Sequence, residues 1–535
     1  MKKVKSLLLF TFIVFFIIGT IGCSTEKEET SSQGQTVTKK TTIPKLASNV
    51  KGAQKGTVVQ YNLGEGSLVE MDTKVPYPIQ GTMGIPAGKN NPVVFILHGA
   101  HEILDVSKNA YYDGFRYLIE TLADNGYLAI SLNVNRAFSL EPVEGDEFKR
   151  LEAIFYDNYK ALEKANNGEK IFDIDLTDKA DLSKINLIGH SRSGQGSMAL
   201  INELTTKGIS FNSLLQVAPA YNRPLEDHNV DIPTAIILPQ YDGDVISLDG
   251  QDSYNVAYRS PNRKYPITVA YLYGANHGAF NSMVNYNEAI RPDVTYMNKE
   301  KQREFLTQYA FDFLNVTNKQ IGSFSDFFND ETPKRYNIDF MSSVYQPDGM
   351  KILAPSKALK GLIQKEIKLE YVEEDVFPAE DSAQPFFTPG TPDSIPLYSL
   401  QWEKKGGSMR LQLPEKNSNW QEMKTLSLYL ALDSTNPKNN EKHATELSVT
   451  IKDDNGKTET IPLTSKSTPS LRYQPGKVDQ LTEDYQIWTT FTPLGTELID
   501  LSSLNNIDLS NIKEISLTTK GETGAIMIAG IDLYK

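Results

Sequence analysis

Between about Gly56 and Thr317 the chain alternates short apolar runs with longer amphipathic stretches. Pro92–Leu97, Tyr127–Leu132, Ile185–Ile188, Leu214–Val217, Thr234–Leu238 and Ile267–Leu272 read as buried strands. Tyr111–Asn125, Glu147–Lys164, Arg192–Leu204 and Gln302–Leu314 carry helical spacing. Near-continuous apolar strands alternating with helices predict an α/β fold, a mainly parallel sheet covered by helices on both faces. Beyond about Lys351 the pattern changes. Helical periodicity fades after Leu362, and Ser408–Leu413, Thr425–Leu432, Thr445–Lys452, Ile487–Thr492, Glu514–Thr519 and Ala525–Leu533 read as strands. Asp453-Asp-Asn-Gly456 carries a hairpin signal after one of them. Regular strands with little helix predict a C-terminal antiparallel β-sandwich. The stretch between, residues 321–390, is rich in Pro, Asp and Phe and is expected to connect the two.

The N-terminus has a different pattern. Lys2, Lys3 and Lys5 precede an uncharged apolar run from Leu7 to Gly22, which is short for a permanent membrane span and reads as a secretory signal. Thr20-Ile-Gly-Cys23 resembles the bacterial lipoprotein signal, in which the Cys is diacylated and becomes the new N-terminus. Cys23 is also the only cysteine of the chain, which leaves no internal disulfide and no Cys-based zinc site. Two acyl chains hold a soluble domain on a membrane without a basic patch. Residues Ser24 to about Lys55 are polar and free of aromatics, the composition of a flexible tether.

Charge narrows the partners. The 535 residues carry 54 basic against 67 acidic side chains, net −13; removing the three Lys of the signal leaves 51 against 67, net −16. That balance argues against nucleic acid, which is bound by clustered Lys and Arg.

The candidate chemistry lies at four strand ends. Ile185-Asn-Leu-Ile-Gly-His-Ser-Arg-Ser-Gly194 runs from a strand through Ser191 into a helix. A nucleophile on such a turn needs small residues two before and two after it, and Gly189 and Ser193 meet that demand. A frame centred on Ser193 would place the bulky Gln195 there, so Ser191 is the better nucleophile. Phe95-Ile-Leu-His-Gly-Ala100 is a strand that ends where an oxyanion-binding amide is needed. Ala100 N–H and Arg192 N–H are the candidate donors, with His101 as the alternative to Ala100. Tyr241-Asp-Gly-Asp-Val245 releases acids after a strand; Asp244, one residue before Val245, leads over Asp242. The run does not match an EF-hand loop, because Ile246 stands where Asp or Asn is needed, and no metal is expected. Tyr271-Leu-Tyr-Gly-Ala-Asn-His277 supplies a base between the last strand and the final helix. His228 falls in a polar loop and His443 in the β-rich tail. The order Ser191, Asp244, His277 differs from those of chymotrypsin and subtilisin.

With these motifs the region from about Tyr61 to Asn315 resembles the α/β-hydrolases. It is most similar to the branch near platelet-activating-factor acetylhydrolases, chlorophyllases and bacterial polyester hydrolases. The resemblance implies a serine esterase with Ser191, Asp244 and His277 as triad, cleaving a small-molecule or polymeric ester without metal or organic cofactor. A serine peptidase, an acyltransferase, or a surface binding lipoprotein on an inactive hydrolase scaffold share the same features. The expected parts are a signal (1–22), a tether (23–55), a catalytic domain (56–320), a connecting segment (321–390) and an accessory sandwich (391–535). The tail resembles galactose-binding-like jelly rolls in strand pattern. It holds Trp402, Trp420 and Trp488, which offers carbohydrate contact as a further expectation. The expected location is extracytoplasmic, lipid-anchored to a bacterial cell membrane.

Overall fold

The computed structural model describes residues 55–101, 109–139, 145–222, 229–245, 248–260, 262–285, 294–327, 336–372 and 395–535, the last apart from 435, 441, 443–444, 466, 475–477, 483–484 and 489–492. The signal, Cys23 and the tether to residue 54 lie outside the described residues, as do His228 and His443. No helix among the described residues is long and apolar enough to cross a membrane.

Nine strands form one mixed sheet: β1 (Thr57–Glu70), β2 (Thr73–Ile85), β3 (Asn91–Leu97), β4 (Leu128–Leu132), β5 (Ala180–His190), β6 (Phe211–Val217), β7 (Thr234–Pro239), β8 (Ile267–Leu272) and β9 (Phe340–Tyr345). Their order is β1-β2-β4-β3-β5-β6-β7-β8-β9. The strands from β3 to β8 pair in parallel, and antiparallel pairs close both ends. Among the described residues five α-helices cover the sheet: α1 (Arg116–Asp124), α2 (Glu147–Asn166), α3 (Arg192–Thr206), α4 (Gly250–Arg259) and α5 (Lys299–Lys319).

The period-2 alternation of the buried strands sorts their side chains into two cores. Val93, Phe95 and Leu97 meet Leu151, Phe155 and Leu204 of α2 and α3. Val94 and Ile96 meet Leu118 and Leu122 of α1 and Phe305 and Tyr309 of α5 on the other face. At β7 the same alternation sends Ala235 and Ile237 to the α5 side, and Ile236 and Leu238 toward Tyr254 and Tyr258 of α4.

The remaining strands are β10 (Met350–Leu353), β11 (Leu362–Lys365), β12 (Lys368–Val372), β13 (Leu397–Trp402), β14 (Ser408–Gln412), β15 (Thr425–Leu432), β16 (Glu446–Asp453), β17 (Thr458–Thr464), β18 (Val478–Thr482), β19 (Tyr485–Trp488), β20 (Gly495–Asp500), β21 (Ile512–Thr519) and β22 (Gly524–Tyr534). One sheet runs β12-β13-β22-β15-β20 with β10 on β22, a second runs β11-β14-β21-β16-β17, and β18 pairs β19. All the pairings are antiparallel. Leu428, Leu430, Ile526 and Ile528 of the first sheet share a core with Val449, Ile451, Ile515 and Leu517 of the second, the arrangement of a β-sandwich. Trp402 and Trp420 are buried in that core and offer no face for stacking on a sugar; the Trp488 side chain lies outside the described residues.

The outer face of the first sandwich sheet packs on α4 and β8 through Leu397, Tyr429 and Ala529. These surfaces are apolar and rich in tyrosine, and a buried phenol gains from a hydrogen-bond partner. Gln251 donates to the Tyr429 hydroxyl at 2.6 Å, and that hydroxyl donates to Asn255 at 2.9 Å. Tyr258 donates to Asp532 at 2.5 Å, in a space that only a glycine at 530 leaves open, since a Cβ there would lie 1.9 Å from the Tyr258 hydroxyl.

Burial pushes the Asp532 carboxyl up from 3.8 to about 6, against the pull of Lys351 and the Tyr258 hydrogen bond. A carboxyl raised in the fold favours the native state most when protonated, so this contribution is lost as pH rises from about 4 through 6. Asp532→Asn is therefore expected to gain stability relative to the parent over that window, by up to about 3 kcal/mol at pH 7 in urea unfolding. A difference between the two proteins that stays constant with pH would contradict this.

Candidate active site

The C-terminal ends of β3, β5, β7 and β8 share one edge of the sheet, and the residues after them converge. Apolar β5 is buried through Gly189 and His190, and the chain then turns sharply into α3. Ser191 makes that turn with φ 57° and ψ −129°, a conformation costing on the order of 1–3 kcal/mol for a residue with a side chain. The surroundings hold it there. Its N–H donates to Val217 at the end of β6 (3.0 Å), and its carbonyl accepts from Gly194 (2.7 Å) and Ala220 (3.0 Å). Its hydroxyl makes no capping bond to α3, although Ser191 occupies the N-cap. The helix start favours negative charge beside it.

Close approach explains the small neighbours. A Cβ on Gly189 would lie 2.3 Å from the Ser193 carbonyl, and one on Gly99 would lie 2.4 Å from Ser191 Cβ and 2.9 Å from its Oγ. Ser193 is fully buried and donates to the His98 carbonyl at 2.6 Å. Its hydroxyl thus ties the segment after β3 to the turn at Ser191.

His277 is fully buried and follows β8. Two contacts seat its loop on α5: Gln302 accepts from Asn276 N–H at 3.1 Å and donates to the Asn276 carbonyl at 2.6 Å. His277 Nδ1 lies 3.0 Å from Asp242 Oδ2. Asp242 is buried, and its other oxygen accepts from the backbone of Asp244 at 3.0 Å and Val245 at 2.6 Å. The expected acid, Asp244, does not take this place. Its half-exposed carboxylate lies on the other side of the ring, 3.5 Å from Nε2. The turn explains the exchange: Val245 does pack down, but the two amides that carry it there point at Asp242 and draw that carboxylate inward.

Four of the six histidines of the chain gather here: His98 and His190 join His277, the expected base, and His101, the alternative donor. Ring centroids step from His98 to His101 (6.1 Å), His190 (5.2 Å) and His277 (4.9 Å). His98 Nε2 accepts from Val134 N–H at 3.1 Å, so its Nδ1 carries the proton toward the Gly99 carbonyl at 2.8 Å. Burial lowers its pKa to about 4. His190 Nε2 lies 3.1 Å from the His277 carbonyl and donates to it. Burial, reinforced by the neighbouring imidazoles, holds His101 and His190 well below 6.5. Around neutral pH these three rings are uncharged, so none of them places a positive charge beside His277. No cluster of three or more His, Cys, Asp or Glu among the described residues is arranged to hold a metal.

Of the two candidate oxyanion donors, Ala100 lies just past β3 and Arg192 opens α3. The His101 amide is engaged by the Gly99 carbonyl at 3.1 Å, which disfavours it as the alternative donor. The Arg192 side chain is turned away to Glu147 at 2.6 Å, and Glu147 also accepts from Asn222 at 2.7 Å. Gln302 and His190 carried no signal in the sequence that sets them apart from other polar residues of a helix or a strand end.

No family model matches the chain, and no curated protein matches it. Among solved structures it is similar to a dienelactone hydrolase-like promiscuous phosphotriesterase from metagenomic libraries, at 14% identity and a TM-score of 0.32, over 50% of this chain and 100% of that one. At that distance the likeness assigns no chemistry.

The two carboxylates are separable by substitution. In a site where Asp242 orients the imidazole, Asp242→Asn is expected to lower ester turnover by about 10⁴-fold, because the wrong tautomer is favoured. Asp244→Asn is expected to change it less than about tenfold, since its carboxylate is half in water. Equal losses, or the reverse order, measured as kcat on one ester would contradict the assignment.

Proposed function

We propose that the chain is a serine hydrolase that cleaves carboxylic esters through Ser191, His277 and Asp242. The observation that carries this reading is the buried His277–Asp242 pair at 3.0 Å, with the His277 ring 4.9 Å from that of His190, the residue before a serine whose backbone is held in a strained turn at a helix start. In the proposed reaction Ser191 Oγ attacks the ester carbonyl carbon while His277 Nε2 takes its proton. Asp242 keeps the Nδ1 proton in place and stabilises the imidazolium. The oxyanion is received by the amides of Ala100 and Arg192, each worth roughly 3 kcal/mol in comparable sites. His277 then protonates the departing alcohol, and water repeats the sequence on the acyl-enzyme.

The tether belongs to the same reading. Cys23 carries two acyl chains that hold the catalytic unit on the outer side of a bacterial membrane. The N-terminal peptide from membrane fractions is expected to begin at a diacylated Cys23 by mass spectrometry; an N-terminus elsewhere would contradict the anchor.

Ser191→Ala should leave the urea unfolding curve near that of the parent and lower turnover of p-nitrophenyl acetate by about 10⁴-fold or more. Turnover that survives in a folded Ser191→Ala protein removes the proposal.

A further inference from the structure

We propose that the β-sandwich is a positioning element of the active site, acting through Gln474 on Gln240, the side chain that couples the acid-bearing loop to the base-bearing loop. The inference rests on the triad reading above and assigns a role to the second domain within it.

Gln240 directly follows β7 and stands two residues before Asp242. Its backbone N–H donates to Leu272 at 3.0 Å, and Tyr241 N–H donates to Ala275 at 2.9 Å, so the two loops leave the sheet side by side. Its side chain adds a third tie: Oε1 accepts from Gly274 N–H at 2.9 Å, three residues before His277. That bond fixes which way the amide faces. With the carbonyl committed to Gly274, the NH₂ group points outward, and it donates to Gln474 Oε1 at 2.8 Å.

Gln474 belongs to the sandwich and is buried, with its own N–H donating to Ser434 at 3.0 Å. The segment before it meets the base loop as well. Tyr273 donates to the Pro469 carbonyl at 3.4 Å, and the Arg472 guanidinium, ion-paired with Asp339, lies 5.1 Å from the centre of the Tyr273 ring. Residues 469–474 therefore touch both loops that place the His277–Asp242 pair. Without an acceptor at 474, the half-buried NH₂ of Gln240 loses the bond that holds it outward, and the amide is released to turn toward other partners. That releases Gly274 and loosens His277 against Asp242, and small misplacements of catalytic groups cost large factors in rate.

The chemistry required at 474 is an acceptor of glutamine's length. Gln474→Met keeps the length and removes the acceptor; Gln474→Glu keeps both. In the full-length protein, with p-nitrophenyl acetate as probe, Gln474→Met is expected to lower kcat by about tenfold with KM within about twofold of the parent. Gln474→Glu is expected to restore kcat to within about threefold. Parent-like kcat in Gln474→Met would overturn the proposal, and so would a loss that Gln474→Glu does not restore while its unfolding midpoint matches the parent. Should Gln474→Met fail to fold, Gln240→Met, which removes the same bond from the other side, is expected to show the same kcat loss at constant KM; parent-like kcat there would also overturn it. Ser191→Ala run alongside separates the two claims, since retained turnover in that variant defeats the triad reading itself.

Discussion

The backbone of Ser191 is the constraint on which the rest of the site depends. A serine at φ 57° is held there by β6, the loop after it and α3: Val217 takes its N–H, and Ala220 and Gly194 give theirs to its carbonyl. The same crowding dictates Gly at 99 and 189, because a Cβ at either would meet the turn at under 2.5 Å. Strain of on the order of 1–3 kcal/mol is tolerable in a sheet buried on both faces, and the exchange leaves the hydroxyl unspent on helix capping. Ser193 adds a tie between the turn at Ser191 and the segment that follows β3.

Electrostatics around the base follow from burial. Three neighbouring imidazoles are kept uncharged, and two of them serve as braces: His98 holds Val134 and Gly99, and His190 holds the His277 carbonyl. An imidazolium formed at His277 then meets no positive charge from the rings around it. The sandwich extends this rigidity. It covers α4 and β8 with an apolar, tyrosine-rich face and reaches the loops after β7 and β8 through Gln474, Arg472 and Pro469.

Much of this was legible in the chain because strand runs and small residues have local causes. The six central strands and four of the helices fall where apolar periodicity places them, and the Asn-Gly turn after β16 forms with Gly456 at φ 82°. Other elements exist only through their neighbours. Strand β2 contains two Pro and two Gly and is kept extended by pairing with β1 and β4. The sequence Gly-Gln-Asp-Ser that opens α4 is a poor helix former, and the buried Tyr254 and Tyr258 hold it against the sandwich. Strand β9 is six residues with two serines, one of them buried and bonded to Leu494. The carboxylate that lies against His277 Nδ1 was hidden in the sequence for a related reason. A Val that packs down identifies the turn, but which carboxylate faces inward is decided by where the backbone amides of 244 and 245 point, and that is a three-dimensional fact.

The central claim is that Ser191 is an activated nucleophile. Purified protein treated with a fluorophosphonate and digested for peptide mapping tests it most directly. The account predicts one modified serine, Ser191, and no modification in a folded His277→Ala variant. A folded parent protein that takes no label, or takes it at another residue, would contradict the account.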